Sequence, residues 1–185
     1  MSNVLWVVII AAAALLWVAA LYNRLVRRRS LKDEGWSGIS VQLKRRHDLI
    51  PNLVATAKGL AGHEKEVLLG VTQARAVQAK GSAAVKEVAA AESSLTQALG
   101  RFLAVAENYP EIKASAAFQQ VMSGLSSVEE DLQMARRYYN GTAREYNVTV
   151  ESFPACLIAG MLGFSKADFF ELDAPAEAAA PKVEF

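Results

Sequence analysis

Residues 4–21 form an unbroken run without a polar side chain. Coiled as one α-helix, 18 residues at ~1.5 Å each span roughly 27 Å, close to a ~30 Å hydrocarbon core. Trp6 near one end and Tyr22 just past the other suit the two membrane interfaces. A cleaved signal peptide needs a basic start and a small-x-small site after the apolar run. Met1-Ser2-Asn3 has no basic side chain, and Ala19-Ala20-Leu21 is a poor cleavage site. The pattern therefore predicts an uncleaved transmembrane anchor.

Beyond the run, the apolar positions adopt helical spacing. Trp36, Leu43, Ile50, Ala57, Glu64, Val71 and Gln78 lie on one line of a seven-residue count. Ile39, Arg46, Leu53, Leu60, Val67 and Ala74 lie on its partner line. Such a seam predicts a long helix packed along one face. Pro51 removes a backbone bond inside it, which predicts a kink near residues 47–51, the alternative being a break and restart. A second seam, Val85, Val88, Glu92, Leu95, Leu99, Phe102 and Ala106, follows Gly81 and a capping Ser82 and stops before Pro110. A third runs from Glu111 to about Val150 through Phe118, Val121, Leu125, Val128, Leu132, Tyr139 and Tyr146. Phe153-Pro154 ends it, a short apolar segment covers 155–161, and Gly163 stops that segment. The fold class is all-α: an N-terminal transmembrane helix followed by an antiparallel bundle of long helices. The expected organisation is anchor and basic collar over 1–30, bundle over 31–164, and a C-terminal tail over 165–185, mobile where alanine and proline crowd 174–185.

Composition sharpens this picture. Alanine supplies 33 of 185 residues, a helix bias that excludes an all-β fold. The chain is 52% hydrophobic, but without residues 1–22 the fraction is 47%, 77 of 163, an ordinary soluble value. The net charge of +1 hides a polarised molecule. Residues 24–46 hold eight Lys/Arg and two Asp/Glu, leaving −5 for the remainder. Arg24, Arg27, Arg28, Arg29 and Lys32 form a collar just after the span. By the positive-inside rule this places the C-terminal bundle in the cytoplasm and the N-terminus outside. The same five are candidate contacts to anionic headgroups, besides serving as a stop-transfer signal. No nucleic-acid motif accompanies the charge, so no nucleic-acid partner is expected.

Several blocks resemble a known family. Gln42-Leu43-Lys44-Arg45-Arg46-His47-Asp48-Leu49-Ile50-Pro51-Asn52-Leu53-Val54 is very similar to the signature of the LemA family. Gly62-His63-Glu64, Val71-Thr72-Gln73-Ala74-Arg75, Glu107-Asn108-Tyr109-Pro110, Ala135-Arg136-Arg137-Tyr138-Tyr139-Asn140, Glu145-Tyr146-Asn147, Ser152-Phe153-Pro154 and the end, 180–185, also fit. The departures are small: Gly35 stands where an alanine is common, and Gly141 sits inside a long helix. The resemblance covers the whole chain. It implies a single-pass protein of the bacterial inner membrane with a helical bundle, acting in envelope and membrane organisation, with relatives in magnetosome membrane biogenesis.

Chemistry-bearing patterns are scarce. His63-Glu64-Lys65-Glu66-Val67 begins like a zinc-protease helix, but position 67 is Val where the second histidine must stand. His47 and His63 are too far apart to share a metal along one helix. Cys156, the sole cysteine, lies in an apolar segment without an activating neighbour and reads as a buried, inert thiol. Phosphate-binding glycine motifs and a nucleophile turn are missing. No catalytic residue, metal or cofactor is expected.

The informative positions are polar residues on or beside apolar seams: Arg46, Glu64, Glu92, Glu129, Arg136, Asn140 and Asn147. They pair across helices and fix the bundle's register, or line a groove for a partner, or stay solvated. Tyr139-Asn140 and Tyr146-Asn147 repeat after seven residues, predicting tyrosine rings in the core and asparagine amides bonded to another helix, or else a partner-facing strip. Residues 43–54, amphipathic and basic, are either the first bundle helix or a surface-lying one. The functional expectation is a non-enzymatic membrane scaffold or adaptor that contacts other membrane proteins and, through its alanine-rich span, associates with itself as a homo-oligomer. The alternatives are an accessory factor of a membrane protease and an uncharacterised enzyme.

Overall fold

The computed structural model describes residues 2–57, 69–73 and 84–171. These are all-α, with a long apolar N-terminal helix and bundle-like packing. Helix α1 spans Ser2–Thr56, α2 Val85–Ala106, α3 Pro110–Lys113 and α4 Ala116–Glu151. Residues 69–73 are also helical, and a 3₁₀ turn covers Ala155–Leu157. The expected cap Ser82, the seam positions Leu60, Glu64, Val67, Ala74 and Gln78, and residues 174–185 lie outside the described residues.

α1 passes through Pro51 without a break, so the break-and-restart alternative is excluded. It closes at Thr56, whose hydroxyl donates to Leu53 O at 2.7 Å. Before Pro51 the helix holds no proline, and its two glycines are near its middle.

The third seam is not one helix. Pro110 opens α3 at its first position, as its fixed φ favours, but α3 ends after four residues. The chain restarts at Ala116, with Ser115 as cap: its Oγ accepts the Phe118 N–H at 3.2 Å. Ala114 and Ser115 carry no proline or glycine signal. The serine hydroxyl outcompetes helix continuation by satisfying an otherwise orphan donor. Replacing Ser115 with alanine is expected to cost about 1 kcal/mol, read as a lower denaturation midpoint of the full chain in detergent.

The chain divides into two compact units. One combines Met1–Gly38 with Ala135–Asp168, the other Ile39–Met134 with Phe169–Phe185. In the second unit, Ile50 and Leu53 of α1 and Ala57 just after it pack with Val71, with Leu95, Leu99, Phe102 and Ala106 of α2, and with Ile112, Phe118 and Val121. The Phe102 and Phe118 rings are tilted with centroids 6.5 Å apart. Residues 43–54 thus belong to a bundle helix rather than a surface-lying one, since Leu43, Ile50 and Leu53 are all buried.

In the first unit, α1 and α4 run antiparallel. Arg28 pairs with Glu145, Lys32 stands over the Tyr146 ring, and Gly35 abuts Tyr139. After α4 the chain turns back through residues 152–164 onto α1, burying Leu25, Tyr146, Val150, Ala159 and Phe164 together, with Leu21 against them. Gly163, at φ 77°, takes the left-handed conformation that ends this segment.

Residues 165–168, expected to start the tail, are instead strapped to α4. The Asn147 amide donates to Ala167 O at 2.9 Å and accepts the Ala167 N–H at 2.8 Å. The Tyr139 hydroxyl donates to Asp168 O at 2.8 Å. Just beyond, Phe170 is fully buried. Backbone groups of Ala167 and Asp168 do the fastening, which composition alone does not reveal.

Candidate functional site

The most concentrated polar chemistry lies within the Ile39–Met134 unit, where α1, α2 and α4 each contribute a charged side chain. Glu92 sits on the seam of α2 and its side chain is 0% exposed. One carboxylate oxygen accepts from Arg46 Nη1 at 3.0 Å, and the other meets His47 Nε2 at 2.9 Å. Arg46 Nη2 donates to Thr96 Oγ1 at 3.1 Å and lies 3.5 Å from Glu129 Oε2 on α4. At the surface, Arg45 pairs with Asp131 at 3.0 Å. An ionised carboxylate only accepts, so the His47 nitrogen facing it carries a hydrogen.

This geometry is closed. Both Glu92 oxygens and both terminal nitrogens of Arg46 are engaged, and a buried charge persists only when paired in this way. The cluster ties three helices at one level.

The structure brings Arg46, Glu92 and Glu129 together. The structure adds two members that the seam pattern does not predict, His47 and Thr96. Thr96 had a signal: it stands four residues after Glu92, on the same helix face. His47 had none, because adjacent residues diverge around a helix and only the approach of α2 lets both reach one carboxylate. Glu64 lies outside the described residues. Arg136 and Asn140 are half-buried on α4 in the other unit. Asn147 is buried there too, bonded to the returning chain segment and not to another helix as expected.

Tyr139 and Tyr146 are core residues of that unit, 1% and 3% exposed. Trp36 packs on the Tyr139 ring at a centroid distance of 5.4 Å. Burial, reinforced by Asp168 and Asp33, pushes the Tyr139 phenol up to about 12. Tyr146 is raised as well, chiefly by burial. A raised phenol favours the protonated form in the folded state. Its stabilising contribution is therefore intact below the ordinary value near 10 and is lost as pH rises toward 12. In an ultraviolet phenolate titration of the folded chain, Tyr139 is expected among the last phenols to ionise. Tyr139→Phe should remove that late component; an unchanged curve would contradict the assignment.

The collar is divided. Arg24, Arg27 and Arg29 are exposed, whereas Arg28 and Lys32 are half-buried. Arg28 is held by Glu145, and Lys32 by Asp33 at 2.9 Å and by the Tyr146 ring, 5.5 Å to its centroid. Among the described residues, α1 is the one helix long and apolar enough to cross a membrane, and its most apolar window is 0% buried. Cys156 is exposed, contrary to the buried thiol expected: its short 3₁₀ turn buries Ala155 and leaves the next two side chains outward. No group of three or more potential metal-ligating side chains occurs among the described residues.

A family model described as the LemA family matches residues 35–185, which contain every member of the buried cluster. The chain belongs to the LemA family. It is similar to magnetosome proteins MamQ 1 and MamQ 2 of Paramagnetospirillum magneticum, each 31% identical over 86 residues, 46% of this chain and 32% of the relative. It is also similar to magnetosome protein MamQ of Magnetospirillum gryphiswaldense, 28% identical over 85 residues, 46% of this chain and 31% of that protein. The chain thus spans about a third of the length of these LemA-family relatives. Neither the family's description nor these names is that of an enzyme.

Proposed function

We propose that this LemA-family chain is a non-enzymatic, single-pass membrane scaffold or adaptor of the bacterial inner membrane. Its N-terminus lies outside and its helical domain in the cytoplasm. The observation that carries the reading is the composition of α1. One helix bears a solvent-exposed apolar run and, further along, the buried core residues Ile39, Leu43, Ile50 and Leu53. Ten of residues 4–21 are Val, Leu or Ile. At ~0.3–0.6 kcal/mol each, they favour a bilayer by on the order of 3–6 kcal/mol. Arg24, Arg27 and Arg29 reach anionic headgroups at ~1 kcal/mol per charge.

The scaffold reading rests on the closed character of the polar cluster, which orders helices and leaves recognition to surfaces. Kinship with magnetosome proteins supports a role in organising a membrane compartment. The alanine-rich span supports lateral self-association, because small residues let helices approach closely.

Two experiments test this. A reporter fused after Phe185 is expected to be active on the cytoplasmic side; activity confined to the outside overturns the orientation. Cross-linking in native membranes, followed by mass spectrometry, is expected to yield self-products and membrane-protein partners. A single protease partner would assign the accessory role instead.

A further inference from the structure

The segment that turns back after α4 has two faces. Inward, Ala155, Ala159 and Phe164 are buried, and Phe164 meets the Tyr22 ring edge-on at 5.7 Å. Outward, Phe153, Leu157, Met161 and Leu162 are 81, 66, 88 and 36% exposed. No residue from 153 to 164 is charged. Scattered exposed apolar residues are ordinary, but a cluster of large ones on one short segment marks an interaction surface.

Its location decides the partner. The segment docks on α1 at Leu21 and Leu25, where the apolar run ends and the cationic collar begins. Its exposed side chains therefore continue the apolar surface of the span at the level where that span leaves the hydrocarbon. Arg24 and Arg27, exposed on α1, flank Leu25, on which the segment docks, and Lys166, just after the segment, is paired with Glu151 at 2.7 Å. Apolar groups at the acyl boundary with cations beside them match a lipid interface containing anionic headgroups.

We infer that residues 153–162 form a second membrane contact, a wedge seated in the interfacial layer of the leaflet from which α1 emerges. The inference rests on the anchor reading of α1. With the wedge seated, the Met1–Gly38 and Ala135–Asp168 unit is held to the bilayer at two places, through α1 and through the segment after α4.

Cys156 lies within the wedge and is the only cysteine, so the full chain carries its own reporter. The protein is reconstituted into phosphatidylcholine–phosphatidylglycerol vesicles with an environment-sensitive fluorophore on Cys156. Quenching is read with lipids spin-labelled shallow or deep on the acyl chain, and with iodide on both sides of the bilayer. A second chain, Ala12→Cys with Cys156→Ser, reports the span. Ala12 is expected to respond to the deep lipid label, and Cys156 to the shallow one with protection from iodide. Replacing Phe153, Leu157 and Met161 with serine should abolish the Cys156 lipid response while leaving that of Ala12.

Lipid contact at Ala12 with iodide access at Cys156 overturns the wedge and leaves the anchor standing. Protection of Cys156 from both lipid labels and iodide overturns it in favour of cover by a second copy. Loss of lipid contact at both positions removes the anchor reading and the wedge with it.

Discussion

Replacing Glu92 with alanine is expected to destabilise the helical domain by about 3–5 kcal/mol, the range for removing one member of a buried ion pair. The substitution leaves the Arg46 guanidinium, whose side chain is 7% exposed, without its main partner. Glu129 stands 3.5 Å from Arg46 but is 38% exposed, so it screens the orphaned charge only partly. Thermal and chemical unfolding of the full chain in detergent measure the effect, with helix content checked by circular dichroism. A double substitution, Glu92→Leu with Arg46→Met, removes both charges and keeps apolar volume. It should recover most of the loss, because an apolar replacement of a buried pair is often neutral or stabilising. If Glu92→Ala leaves the unfolding midpoint unchanged, the cluster does not hold the three helices together.

The second large effect belongs to Gly35. A β-carbon there would lie 3.1 Å from Tyr139 Cα and 3.2 Å from Thr142 Oγ1. The first contact is backbone and cannot rotate away. Alanine needs a shift of a few tenths of an ångström, and its helix propensity gains about 1 kcal/mol over glycine, so Gly35→Ala should be nearly neutral. Valine adds two methyl groups to the same crowded contact between α1 and α4. Gly35→Val is expected to cost about 2–3 kcal/mol by overpacking. It should also change the near-ultraviolet dichroism of the neighbouring Trp36–Tyr139 pair. A valine variant as stable as the parent would mean that α1 and α4 are not in such close contact at this position.

Period-based reading recovered what period encodes. Ile39, Leu43, Ile50 and Leu53 are buried because helical spacing keeps them on one face, and Pro51 did not disturb that register. Arg46 and Glu92 stood out as charges on apolar lines, and they meet in the fold. What escaped the sequence involves groups without a side-chain signature. The strap over 165–168 is held by backbone atoms of Ala167 and Asp168, which any residue possesses. The restart at Ala116 depends on the Ser115 cap, but Ser93, Ser94, Ser123, Ser126 and Ser127 stand inside helices, so a serine alone does not mark a restart. His47 joined the cluster through the approach of another helix, a tertiary fact. The exposure of Cys156 has no signature in the sequence, because an apolar neighbourhood does not show which face of a short turn is covered.

In the proposed role the chain works as a membrane-tethered assembly element and not as an isolated bundle. The most direct test is its assembly state in native lipid. Full-length protein would be extracted from membranes into lipid nanodiscs without detergent exchange and counted by single-molecule photobleaching, with co-isolated proteins identified by mass spectrometry. More than one copy per disc, or stable companions from the same membrane, is the expected result. A uniform population of single copies without companions contradicts it.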